Sequence, residues 1–201
     1  MTVATYSFVQ GTDMHIKIMK ESGYEEALFG LGLSYGLTSD YETWDDMPFE
    51  EQDKIMKIAE SLCNKDGGHN KFMEHIMLWL DITAPRYWWI QADTYRVSSK
   101  SSESTMHTIL KGLITQANFE EEIDRNYLSV LNFYAGSKQL QQLKNALPEG
   151  FLQRRVWVMS YKTLRNVLMQ RGTHKLSQWK QFYHYAINNA EHPELLKIKK
   201  G

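Results

Sequence analysis

One cysteine, Cys63, is all that this chain of 201 residues contains. That scarcity excludes an internal disulfide framework and a cysteine-only structural zinc site within one chain, and it favours a reducing compartment. Long apolar runs are missing as well. Nothing approaches the roughly 20 residues that a membrane helix needs, and the amino terminus lacks the basic and apolar regions of a secretory signal, so a soluble, cytoplasmic protein without a membrane partner is expected. Charge of one sign is not in excess either: 23 Lys and Arg face 24 Asp and Glu, for a formal net charge of -1. No chain-wide attraction to nucleic acid or to an anionic membrane follows from that balance, although a local basic pocket stays possible. With no recognition motif in view, specific nucleic-acid binding is not predicted.

What is present is apolar material. Hydrophobic residues make up 42% and aromatic residues 12%, enough to bury one substantial core. The length fits one domain or two small lobes. Without an internal repeat or low-complexity segment to mark a second domain, a single domain over residues 1–201 is predicted.

Along the chain, β-branched and polar residues mix up to about Lys20, and residues 2–9 suit an early strand. Residues 25–33 have helical character, ended by Ser34-Tyr35-Gly36, and the acidic stretch 39–46 reads as a solvated loop. Pro48 and Glu50-Glu51 predict a helix over 49–63 whose Ile55, Ile58, Ala59 and Leu62 form one apolar stripe, stopped by Asp66-Gly67-Gly68. Residues 76–83 read as a buried strand, and Ala84-Pro85 as the entry to a helix carrying Trp88, Gln91 and Tyr95 near one face. The serine-rich stretch 98–105 reads as a loop. Helices are predicted over 106–117, 120–136 and 137–146, with Gly136 dividing the last two. A turn at Pro148-Glu149-Gly150 precedes a strand over 151–159, closing helices over 161–170 and 176–189, and a basic tail over 197–200.

Three chemistry-bearing residues stand close together in His69-Asn70-Lys71-Phe72-Met73-Glu74-His75. A metal enzyme is the obvious reading of that cluster, yet the histidines lack the i, i+4 spacing of a helical zinc site and no cysteine cluster supports one, so no metal site is predicted. The Trp88-Trp89 pair reads as core rather than as a stacking platform for a base.

The same stretch begins a longer pattern. After His69 to His75 come an apolar strand, a helix carrying Gln91, and then Thr94-Tyr95-Arg96-Val97-Ser98-Ser99-Lys100-Ser101-Ser102-Glu103-Ser104-Thr105-Met106-His107. This resembles the signature of the flavin-dependent thymidylate synthases: His, a short gap, Glu-His, a strand, a helix with Gln, then Arg-His-Arg-x-x-Ser-x-Asn-Glu-x-Ser-x-Arg-Tyr. The register runs without a gap, and Arg96, Ser99 and Ser104 keep the motif's letters. Further on, Lys144-Asn145-Ala146-Leu147-Pro148 is similar to the family's Arg-x-x-Leu-Pro. Lys162, Leu164 and Arg171 match its second basic helix, and Ser177-Gln178-Trp179 resembles its Ala-Gln-Trp.

The resemblance implies an α/β (α+β) fold with a mixed sheet flanked by helices, assembled as a homotetramer. It implies FAD as cofactor and dUMP, or another pyrimidine nucleotide, as partner. The reaction it implies is methylation of dUMP to dTMP, with methylenetetrahydrofolate and NADPH as co-substrates. Carried over position by position, Ser34, His69, Arg96 and Asn166 resemble the flavin-contacting residues, and Glu74 belongs to the same motif. Gln91, Ser104, Lys144 and Arg171 resemble the nucleotide-contacting residues. The residue types suit those roles, since His, Ser and Gln donate to oxygen acceptors, Lys supplies a point charge and Arg forms paired bonds. No enzyme nucleophile is implied, and no catalytic residue is assigned.

Departures from the pattern bear on mechanism. Thr94 and Tyr95 replace an Arg-His pair, Ser102 a carboxylate and Met106 a phosphate-binding arginine. Loss of one charge-assisted contact costs about 1.5–3 kcal/mol if nothing compensates, a tenfold to more than hundredfold loss of affinity. Glu103 beside Ser102 and His107 beside Met106 are the candidates for compensation. Reduced or altered thymidylate synthesis is therefore the leading expectation. The alternative is a nucleotide-binding homologue without that activity, acting in regulation or interaction, or an enzyme modifying another pyrimidine nucleotide.

Overall fold

The computed structural model describes residues 14–65 and 67–198. Its sheet has four strands, β1 (His15–Ser22), β2 (Met77–Pro85), β3 (Ser99–Ser102) and β4 (Leu152–Ser160), in the order β1-β2-β4-β3. The Tyr161 N–H donates to the Ile76 carbonyl at 2.8 Å and the Arg86 N–H to the Phe151 carbonyl at 3.1 Å. Those two bonds bracket β2 and β4 as antiparallel neighbours. Nine α-helices accompany the sheet among the described residues: α1 (Tyr24–Leu33), α2 (Phe49–Leu62), α3 (Arg86–Ala92), α4 (Thr105–Thr108), α5 (Arg125–Gly136), α6 (Leu140–Ala146), α7 (Tyr161–Arg171), α8 (Ser177–Asn189) and α9 (Pro193–Leu196). The α/β class read from the sequence is the class observed. The strand expected over 2–9 lies outside the described residues, as does the end of the basic tail.

The described residues divide into two compact units that the chain enters more than once. One comprises Ile82–Thr94 and Ser101–Arg155, with the end of the amino-terminal stretch; the other comprises Ile16–Asp81, Tyr95–Lys100 and the chain from Val156 onward.

In the second of these, α1 packs on α2 and on the short 3-10 turn Lys71–Glu74, while α7 packs on that turn and on α8 and α9. Of the apolar stripe read on residues 49–63, Ile55, Ala59 and Leu62 are buried and Ile58 is half-buried. Trp157, Trp179 and Phe182 are fully buried against one another, Trp157 stacking on Phe182 at 5.8 Å and Trp179 meeting it edge-on at 5.9 Å. Each buried tryptophan removes enough apolar surface to be worth roughly 4–6 kcal/mol by area. Gly32 lets α1 close on its neighbours, because a Cβ there would lie 2.4 Å from Thr38 Cγ2 and 2.7 Å from Ile55 Cδ1.

The other unit has its own core of Ile109, Ile114, Phe119, Leu131, Ala135, Leu143, Leu147 and Phe151, around the α5–α6 pair. Beyond residue 98 the sequence reading needs three corrections. Residues 106–117 are not one helix: Thr105–Thr108 is α-helical and Gln116–Asn118 a 3-10 turn, and between them Asn132 on α5 takes both backbone groups of Ile114, accepting its N–H at 2.9 Å and donating to its carbonyl at 2.8 Å. The helix expected over 120–136 starts at Arg125, where the Asp124 carboxylate accepts the N–H groups of Asn126 and Tyr127. The serine-rich stretch is not wholly a loop, since Ser99–Ser102 forms the edge strand beside β4. Backbone pairing, which serine side chains do not advertise, makes that strand.

Candidate functional site

The segment from Gly67 to His75 sorts its side chains cleanly. Gly67 and Gly68 take positive φ values of 71° and 92° after α2, conformations that favour glycine, and the 3-10 turn follows. Asn70, Phe72 and Met73 point inward and are buried, while His69, Glu74 and His75 stay exposed. Glu74 accepts a hydrogen bond from Lys162 Nζ on α7 at 2.6 Å. That ammonium donates to the Glu74 carboxyl and holds it below the usual carboxylate range. Two positions from separate motifs are thereby joined. Ser34 caps the carboxyl end of α1, which the Leu37 N–H closes by donating to the Gly32 carbonyl at 3.0 Å, with Gly36 at φ 68°. Ser34 is exposed, and α1 packs on the turn that follows His69.

Residues 95–98 form the next part of the same unit. Tyr95 lies beyond the end of α3, capped at Asp93, rather than on the helical face expected for it. The early ending is reinforced by Thr94, whose hydroxyl donates to the Gln91 carbonyl at 2.7 Å. Tyr95 is 8% exposed. Its hydroxyl accepts from Arg171 Nε at 2.8 Å and donates to Gln170 Oε1 at 3.2 Å, and Gln170 Nε2 donates to Asn166 Oδ1 at 3.0 Å. On the other side of Arg96, the Val97 carbonyl accepts from Thr163 Oγ1 at 3.1 Å. Arg96, exposed, is thus fixed by its neighbours onto α7, the helix that carries Asn166 and Arg171.

Arg171 is not a solvated helix-end charge. Its guanidinium carbon lies 5.6 Å from the Tyr95 ring centroid and 5.0 Å from that of Trp179. His174, in the following loop, has its imidazolium form disfavoured by burial first and by the Arg171 and Lys175 charges next. The sequence marked Tyr95 as a helix-face residue and as a departure from a motif, and nothing in it pairs that residue with Arg171 or Gln170.

In the other unit, Lys144 and Ser104 come to one place. Lys144 Nζ, on the last turn of α6, donates to Thr105 Oγ1 at 2.6 Å, directly after Ser104. Ser104 stands before α4, and its carbonyl accepts the Thr108 hydroxyl at 2.8 Å. Glu103, Thr105 and Thr108 line a small hollow of about 150 Å³ whose apolar floor includes Ile109 and Phe151. Met106 is 56% exposed. Gln91 is half-buried on α3. Thr105 is a residue the motif reading passed over, sitting at one of its variable positions. Among the described residues, no group of three or more His, Cys, Asp or Glu is arranged to hold a metal ion.

Comparison with known proteins gives this arrangement a context. Two crystal structures of thymidylate synthase X from Helicobacter pylori, both described as complexes with FAD and dUMP, are similar to the chain. The first has 17% identity and a TM-score of 0.71, covering 92% of this chain and 98% of that one. The second has 15% identity and a TM-score of 0.69, covering 92% and 99%. At such identity the likeness speaks for the fold. No curated protein sequence matches the chain. The family model described as thymidylate synthase complementing protein matches residues 27–187, a span that contains the His69–His75 turn, the 94–107 segment, Lys144 and α7. By that match the chain belongs to the thymidylate synthase complementing protein family.

Proposed function

We propose that the chain binds FAD and dUMP as a thymidylate synthase-like protein, forming dTMP with methylenetetrahydrofolate and NADPH at a reduced rate, and that it does so as a homotetramer. The observation that carries the nucleotide part is the approach of Lys144 Nζ to Thr105 Oγ1 at 2.6 Å. It brings a cation to the hydroxyl that follows Ser104, a position the resemblance assigns to the nucleotide, and phosphate favours such a set. The flavin part is supported by the donor set Ser34, His69, Arg96 and Asn166, whose side chains are all exposed in one unit. A histidine, an arginine, an amide and a hydroxyl fit a dinucleotide with anionic phosphates and a ring rich in acceptors. When bound, FAD supplies the redox chemistry of the transfer, and the protein supplies orientation and charge.

Within this reading Arg171 and Gln91 meet the nucleotide, Arg171 through paired donors and Gln91 through one donor and one acceptor. A second reading, a nucleotide-binding homologue without synthase activity, is favoured by Met106. An exposed thioether stands there in place of a phosphate-binding arginine, and Thr94 is turned onto its own helix end. One experiment separates the two. Purified protein is examined for bound flavin by its visible absorbance and assayed for conversion of dUMP to dTMP with NADPH and methylenetetrahydrofolate. Bound flavin with slow turnover is the expected result. Nucleotide binding without flavin or turnover selects the second reading, and absence of both flavin and dUMP binding refutes the proposal.

A further inference from the structure

We infer that Tyr95 is a positioning residue for Arg171, fixing the guanidinium in the attitude from which it meets the nucleotide; the inference rests on the reading that Arg171 contacts dUMP. Tyr95 occupies the position where the family motif has a histidine. A tyrosine carries its oxygen further from the backbone than a histidine carries either ring nitrogen. Here that reach is used: the phenol oxygen lies 2.8 Å from Arg171 Nε.

The contact constrains more than one atom. A guanidinium is planar with its donors in a fixed fork, so holding Nε by a hydrogen bond restricts where the two terminal nitrogens point. The rings of Tyr95 and Trp179, at 5.6 Å and 5.0 Å from the guanidinium carbon, add cation–π attraction that restricts the plane further. Tyr95 is itself held. It meets Trp179 edge-on at 6.2 Å and 72°, and its O–H donates to Gln170 Oε1 at 3.2 Å, which leaves the oxygen's lone pairs turned to Arg171. Gln170 in turn is bonded to Asn166 at 3.0 Å. The residue assigned to the nucleotide and a residue assigned to the flavin are therefore the two ends of one hydrogen-bonded chain that runs through Tyr95. A phenylalanine at 95 keeps the ring and breaks the chain.

The test is a double-mutant cycle on the full-length protein, with dUMP titrated by calorimetry and melting temperature recorded for each variant. Tyr95→Phe is expected to weaken dUMP binding by roughly tenfold, the size of one lost hydrogen bond to a charged donor, and to have no effect on affinity once Arg171 is alanine. Arg171→Lys, which keeps the charge and lacks the Nε donor, is expected to abolish the effect of Tyr95→Phe in the same way and serves if the alanine variant does not fold. Equal weakening by Tyr95→Phe in the wild-type and Arg171-substituted backgrounds makes Tyr95 a general structural residue and overturns the inference. Unchanged affinity on Tyr95→Phe, with Arg171→Ala weakened, overturns it while leaving the nucleotide site intact. If Arg171→Ala binds dUMP as the wild type does, the reading of the site fails first and the inference falls with it.

Discussion

Replacing Gly23 with alanine tests how closely the start of α1 is seated on the His69–His75 segment. Gly23 has φ 90°, and a Cβ built there lies 2.4 Å from the carbonyl oxygen of His75. Two costs add. The left-handed backbone is worth about 1 kcal/mol against alanine, and the collision, with backbone rather than a pliable side chain, adds about 1–3 kcal/mol as overpacking. The total of about 2–4 kcal/mol corresponds to a fall in melting temperature of roughly 5–15 °C for a chain of this size. Gly36 supplies the internal control, since it has φ 68° with nothing within 4 Å of a built Cβ. Gly36→Ala should therefore cost the backbone term alone, about 1 kcal/mol. Urea unfolding of the two variants beside the wild type reads both terms, and the gap between them is the collision. If Gly23→Ala and Gly36→Ala unfold together, the close approach to His75 carries no energy and the reasoning is wrong.

Asn132→Ala removes the side chain that satisfies both backbone groups of the buried Ile114, so a loss of about 1–3 kcal/mol is expected in denaturant unfolding; an unchanged midpoint would mean that water replaces it at no cost. Lys162→Met should raise the titration midpoint of the Glu74 carboxyl followed by NMR, because the Lys162 ammonium is the main group lowering it. The sign for stability follows: a carboxyl lowered in the folded state stabilises the protein above its ordinary pKa, and that contribution is lost as pH falls through the lowered value. The pair is exposed, so the effect on unfolding is small and the titration is the sensitive readout.

Legibility in the sequence followed the range of the forces involved. The helix over residues 49–62 shows its stripe, its proline entry and its glycine stop within one short window, and the strand over 77–85 is mostly apolar despite Asp81, so both were readable where they stand. Ser99–Ser102 was not, because a strand of serines exists only where a neighbouring strand offers its backbone. The stretch after Thr108 failed for a similar reason: a side chain 18 positions away satisfies Ile114 where a helix was expected. For the candidate site, motif positions indicated which chemistries to look for, and the exposure of His69, Arg96 and Asn166 agrees with residues left facing outward. The contacts of Arg171 were beyond a linear reading. Tyr95 and Arg171 are 76 positions apart, and no local pattern announces that a phenol in the place of an imidazole takes hold of a particular arginine.

The serines of β3 have a further consequence, for behaviour in concentrated solution. β1 and β3 are the outermost strands of the sheet, the places where a second chain could add itself by main-chain pairing. One edge carries Lys17 and Lys20 among its eight residues and the other reads Ser-Lys-Ser-Ser. Positive charge repels a like edge brought alongside, and short hydroxyl side chains offer an arriving strand no apolar surface to settle on. The apolar run of β2, whose β-branched and aromatic residues carry little charge, is shielded between neighbours on both sides. A sequence too polar to be recognised as a strand is thus well suited to end a sheet.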